Sequence, residues 1–148
     1  MKLDRKGLTL LEMTFVMGLS LIVLAAGYSA YFSVTRADDV ERRRETLTAS
    51  ALNAMAHVKE DVRSASEATA SGSTLTLATT DGPVTYRGAA HGTGIERIAG
   101  RRRSLFKGAT ASFARSGAGV DVSIKSRAKV HGRMIRVDLD CFVTPRNR

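Results

Sequence analysis

The sequence predicts an α+β fold, a long N-terminal helix whose second half packs on a C-terminal antiparallel β-sheet. Three observations predict it. Between residues 8 and 35 the only acidic or basic residue is Glu12, and the rest are apolar, small or hydroxyl-bearing. From 36 to 68 there is no Gly or Pro, and apolar residues recur at steps of three and four. Beyond 68 the texture changes to short alternating runs broken by Gly-containing turns.

The chain opens on a short polar stretch with Lys2, Asp4, Arg5 and Lys6. As a helix, residues 13–35 cover about 30–35 Å, the hydrocarbon thickness of a bilayer. A secretory signal has a shorter apolar region and an A-x-A-like cleavage site. This run is longer, and its nearest candidate, Tyr28-Ser29-Ala30, fits poorly. Charge does not set the orientation: Lys2, Arg5 and Lys6 precede the run, while Arg36, Arg42, Arg43 and Arg44 follow it, so Lys and Arg are balanced across it. Glu12 stands out. A carboxylate inside an apolar span costs about 2.5–3.5 kcal/mol and usually has a function, although near the membrane surface the cost is small.

In the second half, Leu47, Ala51, Met55, Val58, Val62 and Ala65 form one stripe of an amphipathic helix. Arg42, Arg43, Glu45, Lys59, Glu60 and Arg63 occupy the other side, with Asp38–Arg42 and Glu60–Arg63 at favourable spacings. One helix over 8–67 is expected. It divides into a membrane-spanning part, 8–35, and an amphipathic continuation, 36–68.

The β-rich head spans 69–148. Ser71-Gly72-Ser73 is a breaker. Leu75 and Leu77 alternate with threonines, Asp81-Gly82-Pro83 reads as a turn, and Val84-Thr85-Tyr86-Arg87 alternates again, which predicts a hairpin. A loop over 88–94, a strand over 95–98 and a polar turn or loop at Gly100-Arg101-Arg102-Arg103 follow. Further strands are expected over 109–115, 120–125 and 133–143. In the last, Ile135, Val137 and Leu139 share one face. A sheet with one apolar face needs a partner, and the helix stripe supplies it.

The string Lys6-Gly7-Leu8-Thr9-Leu10-Leu11-Glu12 ahead of the apolar run resembles the prepilin signature of type IV pilins and type II secretion pseudopilins. That signature is a short basic leader, Gly, a hydrophobic first mature residue, and Glu at the fifth mature position. The resemblance covers roughly the first thirty residues. It implies a leader over 1–7, cleavage by prepilin peptidase between Gly7 and Leu8, and methylation of the new Leu8 amine. Glu12 would then neutralise the Leu8 amine of a neighbouring subunit, since opposite charges in a low-dielectric bundle are far cheaper paired than apart. Gly7 suits a cleavage site because, without a Cβ, it lets a protease approach the backbone closely. Many major pilins carry a helix-bending proline in the apolar segment. Here there is none, only Gly18 and Gly27, which favours a minor subunit at an initiating or tip position. More loosely, Val84-x-Tyr86 followed by Ile95-x-Arg97 resembles a pattern in J-type minor pseudopilins and their pilus-side relatives.

Function classes narrow accordingly. The formal net charge of +9 permits attraction to nucleic acid or anionic lipid. With no Trp and few aromatics, a base-stacking surface is poorly supplied. Arg101, Arg102 and Arg103 are a candidate basic patch, with a solvated loop as the plainer reading. The Arg42-Arg43-Arg44 run reads as a solvated face or as a contact for headgroups. Cys141 is the single cysteine, so no internal disulfide is possible, and its apolar setting marks it as a small core residue. His57, His91 and His131 are scattered, and no P-loop or G-x-S-x-G motif occurs. Asp138 and Asp140 share a strand face, read as solvated. No cofactor or metal is expected, and no enzymatic activity. The expectation is a minor pilin-like subunit, in the bacterial inner membrane and then in a pseudopilus, whose partners are prepilin peptidase, other pilin-like subunits and the membrane. Alternatives are a minor subunit of a type IV or DNA-uptake pilus, and a single-pass envelope protein whose basic head binds nucleic acid or lipid.

Overall fold

Helix α1 runs from Leu10 to Ser64, and its two parts bury themselves differently. The computed structural model describes residues 9–89 and 94–146. The expected leader 1–7, Leu8, His91 and most of the 88–94 loop therefore lie outside the described residues. The chain divides into two compact units, Met1–Asp39 and Val40–Arg148, and α1 belongs to both.

In the first unit the large apolar side chains of α1 are exposed all round. Leu11, Phe15, Leu19, Ile22 and Val34 are each more than 60% accessible. The helix is long and apolar enough to cross a membrane. Three of its hydroxyls bond within the helix: Thr14 donates to the Leu11 carbonyl, Ser20 to that of Val16 and Thr35 to that of Tyr31. In a medium without water, such local bonds remove the cost of a lone hydroxyl.

In the second unit the stripe is buried: Leu47, Ala51, Ala54, Met55, Val58 and Val62. From Ala51 onward it packs in one core with Leu75, Leu77, Tyr86, Phe113, Val122 and Ile124 from the sheets. Each such Leu, Ile or Val contributes about 1.5–3 kcal/mol by leaving water. The stripe was legible in the sequence; its end was not. The helix stops at Ser64, short of the expected 67, and strand β1 (Ala65–Ser71) follows directly. Ala65 is buried as the stripe required, but from a strand. Residues 64–71 are all Ser, Ala, Thr or Glu, with Ser and Thr weak in helix interiors, and pairing with β2 claims them. The helix end is closed by the Ser64 hydroxyl on the Asp61 carbonyl and by the Arg146 N–H on the Arg63 carbonyl.

Two antiparallel sheets replace the single one expected. The first is a meander of β1, β2 (Thr74–Thr79), β3 (Gly82–Gly88), β4 (Gly94–Ala99) and β5 (Arg102–Lys107), in that spatial order. The second holds β6 (Ala109–Ser116), β7 (Gly119–Val130) and β8 (Arg133–Val143). Gly108, at a φ of 77°, separates β5 from β6, a backbone conformation that glycine adopts at no steric cost. The sheets also meet where the Phe113 N–H donates to the Gly72 carbonyl, 2.6 Å away.

Two strands escaped the sequence reading, β1 and β5, and both are sheet edges. Arg102 and Arg103 lie in β5, not in a loop, and the turn is Gly100-Arg101. In β5 only Phe106 is buried, so the strand carries little alternating signal. The predicted 74–79/84–87 hairpin is β2–β3, with Leu77 opposite Val84. On β8, Ile135 and Val143 are buried and Val137, Leu139 and Cys141 half-buried on one face, as alternation required, with Asp138 and Asp140 exposed on the other.

Candidate functional site

The start of α1 is built around Glu12. Thr9 lies just outside the helix and accepts the Glu12 N–H on its side-chain oxygen at 3.4 Å and on its carbonyl at 3.0 Å. Thr9 is thus the N-cap and Glu12 the third helical residue, the Thr-x-x-Glu spacing of a capping box. A carboxylate in the first turn also meets the positive end of the helix dipole. Glu12 is exposed and the first helical acid; beyond it lies the exposed apolar surface. The Gly7 and Leu8 positions of the expected processing site lie outside the described residues. The Thr9-Glu12 spacing could have been read from the sequence as a helix start, and it gives Glu12 a local role besides any intermolecular one.

At the far end of the apolar run three rings cluster. Tyr28 and Phe32 have centroids 4.6 Å apart, and Tyr31 meets Phe32 edge-on at 6.1 Å. Tyrosine side chains near the end of a span match the aromatic enrichment of membrane–water interfaces, where the ring is apolar and the hydroxyl wet.

In the head, a half-buried polar constellation among the described residues joins helix to sheet. Tyr86 on β3 lies directly opposite Arg97 on β4, and both reach Asp61 on α1. The Tyr86 hydroxyl donates to Asp61 Oδ2 at 2.5 Å; Arg97 Nε donates to the same oxygen at 2.7 Å and Arg97 Nη2 to Oδ1 at 2.9 Å. The arginine fork thus grips the carboxylate at both oxygens, the stronger form of such a pair. Burial works to raise the Asp61 pKa, and the Arg97 and Tyr86 hydrogen bonds with the Arg97 charge outweigh it, holding the carboxyl below its ordinary 3.8. Burial and the neighbouring carboxylate push the Tyr86 hydroxyl well above its ordinary value. The hydrogen bond to Asp61 raises that of Arg97. All three groups keep their usual charge across neutral pH, as suits a clamp and not a proton carrier. The Val84-x-Tyr86 and Ile95-x-Arg97 strings supplied two of its members. Asp61 went unremarked, though it falls between Val58 and Val62 at the border of the apolar stripe.

The three arginines of the candidate basic patch do not share one face. Arg101 is in the turn, and Arg102 and Arg103, consecutive on β5, point to opposite faces. Arg103 approaches Glu96, 3.8 Å away, which also pairs with Arg87 at 2.9 Å. Charges along an edge strand discourage another sheet from adding to it. His57, exposed on α1, sets its ring at a tilt 5.5 Å from that of Phe106. Cys141 is half-buried and free, packed against the core.

Comparison with protein-family models, with characterised proteins and with solved structures finds no match to this chain.

Proposed function

We propose that the chain is a structural, non-enzymatic subunit of a pilin-like filament, a minor pseudopilin that prepilin peptidase trims between Gly7 and Leu8 and methylates on Leu8. The observation that carries this reading is the order of features at one helix start: Gly7, an apolar Leu8, then Glu12 in the first turn of a helix whose apolar surface is exposed on every side. Such a surface leaves water only in lipid or among other apolar helices. A filament offers the second environment after the membrane has offered the first. Glu12 on one subunit would then neutralise the Leu8 amine of the next. The Tyr86 and Arg97 strings fit a minor position in a type II secretion pseudopilus and equally in its pilus-side relatives. The membrane would be the bacterial inner membrane, with the head beyond it.

A second reading has its own observation. Thr9 caps α1 through the Glu12 N–H, and the Thr-x-x-Glu spacing with a first-turn carboxylate suits a helix start in a single-pass anchor that never leaves the membrane. Glu12→Gln separates the two. Glutamine serves a capping box as glutamate does but carries no charge. In a host with the filament machinery, the filament reading predicts that Glu12→Gln and Glu12→Ala both lose co-purification with the other subunits while the head keeps its melting temperature. Undiminished co-purification of Glu12→Gln would count for the plain anchor.

A further inference from the structure

The β7–β8 hairpin runs on past the rest of its sheet. β6 pairs with β7 only as far as Ala109 opposite Ser126, whereas β7 and β8 stay paired up to Val130 and Arg133. The extension is a two-stranded ribbon closed by His131 and Gly132, at φ values of 47° and 81°, the positive-φ pair that a tight hairpin turn uses. Its inner face holds buried Ile135 and half-buried Ala128 and Val130. Its outer face carries Lys125, Arg127 and Lys129 from β7 and Arg136 from β8, all exposed, with Arg133 exposed at the tip.

Arg127 and Arg136 stand directly opposite each other. Like charges in register destabilise a strand pair, so the ribbon accepts a local penalty that an external anion would relieve. The only acid on that stretch of the face is Asp138, opposite Lys125.

The ribbon's direction selects the anion. At one end of β8 the Arg146 N–H meets the Arg63 carbonyl. Near its middle, Val137 pairs with Ser126 and Ser126 with Ala109, and the adjoining Gly108 lies beside Leu47. Moving back along β8 therefore moves back along α1. The four residues from Val137 to Arg133 add about 13 Å, which carries the tip past Leu47 toward the Val40 end of this unit. That is the end at which the chain enters this unit, soon after the apolar run closes at Thr35.

We infer that the outer face of this ribbon, Lys125, Arg127, Lys129 and Arg136, docks on the anionic phospholipid headgroups of the bilayer that anchors α1. Each Lys or Arg near such a surface strengthens association about fivefold. Arg101, Arg102 and Arg103 take no part. The inference rests on the membrane anchor and not on the filament reading, so it stands or falls separately from the processing of Leu8.

The test uses the full chain in vesicles of phosphatidylcholine, with and without phosphatidylglycerol, and reads amide deuterium uptake over 125–137. Docking predicts uptake about fivefold slower or more with phosphatidylglycerol, reversed by high salt and abolished by combined Arg127→Gln, Lys129→Gln and Arg136→Gln. Uptake in β2–β4 should not change in that variant; if it rises, the comparison of the two vesicles with the unsubstituted chain decides alone. Equal uptake in both vesicles overturns the inference. So does protection that appears with an added DNA duplex in phosphatidylcholine vesicles but not with phosphatidylglycerol, which would make the ribbon a nucleic-acid surface.

Discussion

Asp61 holds the helix to the first sheet through two partners on two strands, and its worth is measurable. Hydrogen bonds to charged groups contribute about 1.5–3 kcal/mol, and the pair is partly exposed, which screens its Coulomb part. Asp61→Asn should therefore destabilise the head by about 2 kcal/mol at neutral pH, read from thermal melts of the full chain in detergent. The pH dependence has a definite sign. Because the folded Asp61 carboxyl sits below its ordinary 3.8, its contribution is complete above that value and is lost as pH falls through the depressed one. Asp61→Asn should accordingly show a shallower loss of stability below about pH 4 than the unsubstituted chain. An unchanged acid limb would mean that the clamp is not what acid breaks. Ser126 supplies a second test. It is fully buried on β7, and its hydroxyl finds no hydrogen-bond partner among the described residues. Ser126→Ala should raise stability by about 1 kcal/mol, and a loss would reveal a partner for the hydroxyl. Neither residue was readable beforehand. A partner set drawn from positions 61, 86 and 97 has no local signature, since only the fold brings them together.

Elements were legible in proportion to how much of their length faces the core. The stripe on α1 and the alternation in β2, β3 and β8 each put buried and exposed residues at a fixed period, and each was found. β1 and β5 lie at the edges of their sheet and bury one residue apiece, so no period betrays them. The missed end of α1 has the same origin, because no Gly or Pro marks it and pairing with β2 decides it. This predicts a graded response to truncation. Leu77→Ala on β2, fully buried, should cost about 3 kcal/mol. Leu105→Ala on β5, half exposed, should stay within about 0.5 kcal/mol. Comparable losses at both sites would show Leu105 to be part of the core.

At the scale of the whole molecule, one helix carries two kinds of surface. Its first unit offers exposed apolar side chains, and its second carries a head with a core, a polar clamp and a basic ribbon. The division between a membrane-length segment and an amphipathic continuation followed from composition and period alone, because lipid and a protein core demand different distributions of apolar side chains. Processing and assembly rest instead on a short string at the N-terminus, and their test is chemical. The measurement that bears most directly on them is the intact mass and N-terminal residue of the protein recovered from envelopes of a host that contains prepilin peptidase. A chain beginning at Leu8 with one added methyl group is the predicted result. A chain still beginning at Met1 would contradict the pilin-like reading and leave a membrane-tethered basic domain in its place.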